Sequence, residues 1–382
     1  MLKEAVLYNK QTPVCEVIME DGNIKELGAV YNFDQLPLYI RVADNCGISY
    51  IDMFNRWLTR RRMPDDRVGL ADAKIYNGEE PYSNINMMFS LTDQYWFKTD
   101  DSQSWRKCNF FTNKYFSAIG QSTFTPWMDP GPDIFKESPD LTTNGVLAKV
   151  WVQNPDTLVS FLIKAGSKKF GQIPLSEVLG SLVMRKIDLL PYVRYDLCIN
   201  GMQICSSCRN FVDETTEFVP AQAIFLMQRR SKSMSKYEHL VEMCLNYGLK
   251  RPDEFVNKML LCDSIMGNTD RHFGNFGALR NVDTGEVKFA PLFDFGSAFK
   301  EFRKNGQTET GNKFFLKEDV ERALRYYGRL SCLGRLGNTS DLFYIIDTYP
   351  DLTVEQKDRI KEGILRRTGR FLFSQEDRGL SR

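Results

Sequence analysis

Residues 268–296 read NTDRHFGNFGALRNVDTGEVKFAPLFDFG. The stretch holds Asp270, Asn275 five positions later, and then Asp294 followed by Phe295-Gly296. Between them, Phe276–Leu279 and Val287–Phe289 read as short strands around the turn Asp283-Thr284-Gly285. That is a hairpin, with Asp294 at its base. Phosphoryl transfer needs a carboxylate to orient, or take the proton from, an attacking hydroxyl. It also needs two oxygen ligands for a Mg²⁺ ion that bridges phosphates. Asp270 suits the first role, and Asn275 with Asp294 the second.

Upstream residues fit the same chemistry. Leu158–Lys164 (LVSFLIK) reads as a strand ending in Lys164, where a phosphate-binding lysine belongs. Pro174–Lys186 reads as a helix with Val178, Leu179, Leu182 and Val183 on one face, and its Glu177 can pair with that lysine. Ser138–Gly145 (SPDLTTNG) reads as a mobile loop rising into the strand Val146–Val152. That strand pairs with Leu158–Lys164 across the turn Asn154-Pro155-Asp156. A loop with hydroxyls and backbone N–H groups can hold phosphate oxygens, which makes Thr142, Thr143, Asn144 and Gly145 candidate nucleotide contacts. Phosphorylation of Ser138, Thr142 or Thr143 would add negative charge beside a bound triphosphate and turn the loop into a switch. Plainer readings stand beside these. Lys164 can be a surface lysine lying along apolar neighbours, Glu177 a solvated helix residue, the loop hydroxyls turn caps, and His272 a structural histidine bonded to its loop.

The spacing Asp-x-x-x-x-Asn and the Asp-Phe-Gly recur in the protein-kinase pattern. Taken with SPDLTTNGVLAKVW, FLIK, the Glu177 helix, NTDRHFGN and APLFDFG, the chain resembles the HipA-like serine/threonine kinases over roughly residues 138–345. The resemblance implies an α+β, bilobal protein-kinase-like fold with a β-rich N-lobe and a helical C-lobe. It implies ATP with Mg²⁺ and phosphorylation of Ser/Thr on a protein substrate, with self-phosphorylation within reach. Carried over, Asp270 is the catalytic residue, Asn275 and Asp294 hold metal, and Lys164 contacts the ATP phosphates. Some members are toxins paired with a small DNA-binding antitoxin, which makes such a partner an expectation here. A second resemblance is to phosphoinositide 3/4-kinases, whose loop also reads D-R-H-x-x-N before a D-F-G. The basic segment that a lipid headgroup would need is only partly present, in Lys300, Arg303, Lys304 and Lys313. A nucleotide-binding regulator acting through a partner is the third reading.

The rest of the chain narrows the classes. At about 100–200 residues per domain, 382 residues make two or three domains. The boundaries read as residues 1–130 for an α+β N-terminal region, 131–213 for the N-lobe and 214–382 for the helical C-lobe. A sheet-rich stretch followed by a helix-rich one argues for two lobes. A net charge of +1 argues against direct nucleic-acid binding and against a polybasic membrane surface. Only two histidines occur, His239 and His272, which excludes a three-histidine metal site and any HExxH helix. Cys205-x-x-Cys208 lacks a second pair at zinc spacing and reads as strand cysteines. No apolar run approaches the roughly 18 residues that cross a membrane. With no secretory signal read ahead of nine scattered cysteines, the expectation is a cytoplasmic protein with reduced thiols.

Within the first region, Val6–Tyr8 and Val14–Met19 read as strands broken at Thr12-Pro13 and Asp21-Gly22. Ile51–Arg62 reads as a helix ending in Arg60-Arg61-Arg62. That run either complements the helix dipole or forms a phosphate- or partner-binding patch. Trp127–Asp140, rich in Pro and Asp, reads as a linker. Tyr192–Ile199 and Met202–Phe211 read as a hairpin around Asn200-Gly201, and Lys236–Gly248 and Pro252–Met266 as helices.

Overall fold

The computed structural model describes residues 2–70, 87–125, 137–166, 171–300 and 315–376. Its first sheet grows from a meander of β1 (Lys3–Asn9), β2 (Thr12–Glu20) and β3 (Asn23–Val30), joined on the far side of β1 by β4 (Tyr95–Lys98). Asp21 and Gly22 both have positive φ, 48° and 70°, the geometry that lets a two-residue turn follow the strand twist. The break expected at Thr12-Pro13 is not there. The first turn is Lys10-Gln11, and Pro13 pairs with Tyr8 beside a bulge at Leu7/Tyr8. A strand end at a bulge tolerates the missing proline N–H. β4 pairs with β1 from Val6↔Lys98 to Asn9↔Tyr95, and four residues are too few to show a period.

α1 (Tyr50–Arg61) is capped by Ser49, whose side chain accepts from the Asp52 N–H, and it buries Met53, Phe54, Trp57 and Leu58. The arginine run at its end divides. Arg61 is buried in an ion pair with Asp93 at 2.7 Å, while Arg60 stays exposed with its guanidinium 5.2 Å from the centre of the Tyr39 ring. Helix-dipole complementation therefore does not describe Arg61, which a specific carboxylate holds.

The second sheet has the order β5-β6-β8-β7, from β5 (Lys149–Gln153), β6 (Ser160–Ala165), β7 (Tyr195–Asn200) and β8 (Gln203–Arg209). α2 (Ile173–Ile187) packs against it. The third sheet, β11-β10-β9, joins β9 (Thr216–Pro220) to the hairpin of β10 (Gly277–Asn281) and β11 (Val287–Phe289). Helices α3 (Lys236–Asn246), α4 (Pro252–Met266), α5 (Lys317–Tyr327), α6 (Ser340–Thr348) and α7 (Val354–Glu376) complete the chain. No described helix is long and apolar enough to cross a membrane.

This is a mixed α+β chain of antiparallel sheets and helices, as the sequence implied. One core runs from Leu7 on β1 and Phe54 on α1 through Leu179 on α2 to Leu260 on α4 and Ile360 on α7. The first region is also bonded to β9 and to the connector that leads into it from β8. The Phe218 N–H donates to the Thr92 carbonyl at 2.9 Å, and Gln94 Nε2 donates to the Asp213 carbonyl at 2.8 Å. Most of the expected linker, residues 127–136, lies outside the described residues. Its end, Ser138–Asp140, is a buried turn rather than a spacer.

Candidate active site

Lys164 stands on β6, where the register sets Lys149 of β5 directly opposite. Its Nζ donates to Glu177 Oε1 at 2.8 Å and to Asp294 Oδ1 at 2.7 Å. Glu177 is fully buried on α2, and its Oε2 accepts the Phe295 N–H at 2.6 Å. Gly180 makes this approach possible, because a Cβ there would lie 2.4 Å from Phe295 Cβ. Asp294 takes a left-handed backbone, φ 60°, which Asp adopts more readily than most residues, and its N–H donates to Tyr195 Oη at 3.1 Å.

The charges follow from burial and pairing. Burial opposes ionisation of Asp294, but Lys164, Lys149 and Arg271 outweigh it and hold its carboxyl well below the usual range. Burial also works against the Lys164 ammonium, and Asp294 with Glu177 more than restores it. Glu177, in the driest position, is pushed up to about 7 by burial, with Lys164 pulling the other way. Asp294 is therefore the firmly ionised partner of Lys164.

Asp270 lies on the loop after α4. Its N–H donates to Asn268 Oδ1 at 3.3 Å, and its carbonyl accepts from the His272 N–H at 2.9 Å and from Asn275 Nδ2 at 3.4 Å. His272 Nδ1 accepts the Gly274 N–H at 3.0 Å, the loop bond expected of a structural histidine. Arg271 is the hub, fully buried and bidentate to Asp263 on α4 at 3.0 and 3.0 Å. It also donates to the carbonyls of Asn275, at 2.9 Å, and Phe293, at 2.5 Å. One guanidinium thus joins the Asp270 loop to the segment that carries Asp294.

A cavity of about 630 Å³ joins these parts. Thr142, Thr143, Asn144 and Gly145 line it together with Lys164, Asn275 and Asp294. Glu177 stands behind Lys164, and Asp270 lies two residues before the lining residue His272. The loop hydroxyls depart from the mobile segment expected of them. Thr142 Oγ1 donates to the Phe89 carbonyl at 2.7 Å, and Thr143 Oγ1 donates to the Pro139 carbonyl at 2.6 Å while accepting Trp151 Nε1 at 2.7 Å. Ser138 is 3% exposed and donates to the buried Asp140 carboxylate at 3.1 Å. A kinase reaching these hydroxyls would first have to unfold the turn.

Sequence reading missed several lining residues. Lys149 donates to the Asn144 carbonyl at 2.8 Å, and burial, then Arg67 and Lys164, lower its pKa to about 7. Its alternating place in VLAKVWV opposite Lys164 was the available signal. Tyr39 and Trp57 also line the cavity without any site motif to mark them, and beside them stand Arg60 and Arg61 of the arginine run for which a phosphate- or partner-binding patch was one of the two sequence expectations. Among the described residues no three His, Cys, Asp or Glu side chains gather into a metal cage. Asn275 and Asp294 do offer one neutral and one anionic oxygen donor on the cavity wall. That set fits Mg²⁺, which commonly takes few protein ligands and completes its shell with phosphate and water.

No protein-family model matches the chain. A curated relative, the serine/threonine-protein kinase CtkA of Helicobacter pylori, is 27% identical over 112 residues. The match covers 26% of this chain and 34% of the relative, so the chain spans about a third of that protein's length. The crystal structure of the H. pylori proinflammatory kinase CtkA superposes with a TM-score of 0.43 and 17% identity, over 61% of this chain and 95% of that one. The Shewanella oneidensis HipA, solved in a toxin–antitoxin complex with HipB and operator DNA, superposes with a TM-score of 0.56 and 12% identity over 96% of both chains. In sequence over a short stretch and in fold over nearly its whole length, the chain is similar to the HipA-like serine/threonine kinases.

Proposed function

We propose that the chain is an ATP- and Mg²⁺-dependent kinase of the HipA-like kind that phosphorylates Ser or Thr of a protein. One observation carries this reading: Lys164 bridges Glu177 and Asp294 at 2.8 and 2.7 Å on the wall of a cavity that also holds Asn275. In this reading the β5–β8 sheet with α2 is the N-lobe, and the helices from α3 onward belong to the C-lobe. Lys164, kept charged by its two carboxylates, holds ATP phosphates, and the backbone of Thr142–Gly145 covers them. Asp270 takes the proton of the acceptor hydroxyl as its oxygen bonds to the γ-phosphorus and the bond to ADP breaks. Asn275 and Asp294 would hold the Mg²⁺, which when bound neutralises charge on the phosphate oxygens. The same likeness, to a HipA solved with HipB and operator DNA, supports the proposal of a small DNA-binding antitoxin-like partner for this chain.

The test is to incubate the purified chain with γ-labelled ATP, Mg²⁺ and separate protein and phosphoinositide acceptors. Phosphoserine or phosphothreonine in the protein hydrolysate is expected. Label in lipid alone would replace this reading with a lipid kinase, and ATP binding without transfer would leave a nucleotide-binding regulator. Calorimetry adds a check on the metal site. ATP affinity should rise with Mg²⁺ in wild type and lose that dependence in Asp294→Ala, which removes the anionic ligand. An unchanged dependence would move the metal elsewhere.

Lys149 gives a pH-dependent expectation. With its pKa lowered to about 7, it is mostly neutral at pH 8 in the free protein. Triphosphate in the cavity favours the ammonium and raises that pKa, so binding should take up a proton. The binding enthalpy at pH 8 should then vary with the ionisation enthalpy of the buffer, and that variation should vanish in Lys149→Met. Buffer-independent enthalpy in wild type would separate Lys149 from the phosphates.

A further inference from the structure

We propose that Arg67, from the N-terminal region, is a positioning residue that holds the 138–146 loop in the shape that receives nucleotide phosphates. This rests on the reading of that loop as the phosphate loop. Arg67 is 2% exposed. Its Nε donates to the Gly145 carbonyl at 3.1 Å, its Nη2 to the Thr143 carbonyl, and its Nη1 to the Asp140 carbonyl at 3.5 Å. Two main-chain bonds flank it: Met63 N–H to the Leu141 carbonyl at 2.9 Å, and Val68 N–H to the Val146 carbonyl at 2.8 Å.

The consequence is electrostatic as well as mechanical. A loop that receives phosphate must hold its carbonyls away from it, because a carbonyl oxygen facing a phosphate oxygen repels it. Here the carbonyls of Thr143 and Gly145 are held by the Arg67 guanidinium and that of Asn144 by Lys149 Nζ, so three successive carbonyls each have a side-chain donor. Gly145 completes the turn with φ 104°, which a side chain would strain. A planar guanidinium spreads its donors over three nitrogens in a fixed fork, a geometry that a single ammonium on a flexible stem does not reproduce. The fork arrives from a segment more than 70 residues earlier in the chain. The N-terminal region is therefore part of the nucleotide site and not an appendage to it.

The experiment compares wild type with Arg67→Lys and Arg67→Met by ATP calorimetry, steady-state kinetics and hydrogen exchange resolved to residues 138–146. Arg67→Lys keeps the charge and loses the fork. It should raise the dissociation constant and KM for ATP about tenfold or more, since preorganisation is lost. At saturating ATP its kcat should change less than about threefold, because the loop acts on binding and not on the proton transfer. Exchange at 141–146 should accelerate while that of α4 stays unchanged. Unaltered loop exchange in a folded variant overturns the positioning role and leaves the cavity assignment standing. Faster loop exchange with wild-type ATP affinity overturns the proposal at its base, since the loop then does not hold nucleotide. If neither variant folds, wild type decides: ATP must protect 63–68 and 141–146 together, and protection of 141–146 alone overturns the coupling.

Discussion

Asp270→Asn is expected to bind ATP as wild type does and to transfer its phosphate about 10²–10⁴-fold more slowly, the usual worth of a general base. The substitution keeps the side chain's shape and removes its capacity to accept a proton. The Asp270 backbone contributes its own bonds to the loop: its N–H donates to Asn268 Oδ1, and its carbonyl accepts from His272 and Asn275. They survive the change, and the Lys164–Glu177–Asp294 group is untouched. Initial rates of label transfer from γ-labelled ATP, measured beside calorimetric ATP affinity, give both quantities. Equal transfer rates would remove Asp270 from catalysis. A loss of ATP binding equal to the loss of rate would make it a binding residue instead.

The second large effect is on stability. Asp263→Ala strips the carboxylate from a guanidinium that is fully buried and that joins three pieces of chain. Breaking a buried pair from one side leaves an uncompensated charge and costs about 3–5 kcal/mol. Against a total stability of about 5–15 kcal/mol this is a large share. Denaturant titration should show the midpoint falling by that free energy divided by the slope, with the slope itself unchanged. The double variant Asp263→Ala/Arg271→Met should recover part of the loss, because no charge remains buried. An Asp263→Ala protein within about 0.5 kcal/mol of wild type, as for an ordinary surface change, would mean that Arg271 is held by its carbonyl partners alone.

Much of the local architecture was legible because it repeats at short range. α4 spans Pro252–Met266 and β11 spans Val287–Phe289, as periodicity and turn chemistry implied. The hairpin of β7 and β8 forms where Asn200-Gly201 announced it, with Asn200 paired to Gln203 and the turn shifted by one residue. The pairing of Lys164 with Glu177 could also be anticipated, since one strand and the next helix are close in sequence and hydrophobic patterning sets their faces. β4 and β9 could not. Each is short, and each is a strand only because a distant neighbour supplies its ladder: β1 for Tyr95–Lys98 and β10 for Thr216–Pro220.

The sequence by itself determined the order and chemistry of the candidate residues, from the loop at Thr142 through Lys164, Glu177, Asp270 and Asn275 to Asp294, because spacing within short segments carries that information. Only the tertiary structure decided which groups hold them in place. Arg67 reaches its loop across 73–78 residues, Lys149 faces a carbonyl of the same loop, and Arg271 joins α4 to the segment before Asp294. It also decided that Thr142 and Thr143 point their hydroxyls inward, to Phe89 and Pro139. An arginine, a lysine or a threonine looks alike in sequence whether solvated or buried. The difference lies in which backbone carbonyls the folded chain brings within about 3 Å, since a buried polar group is stable only where such partners exist.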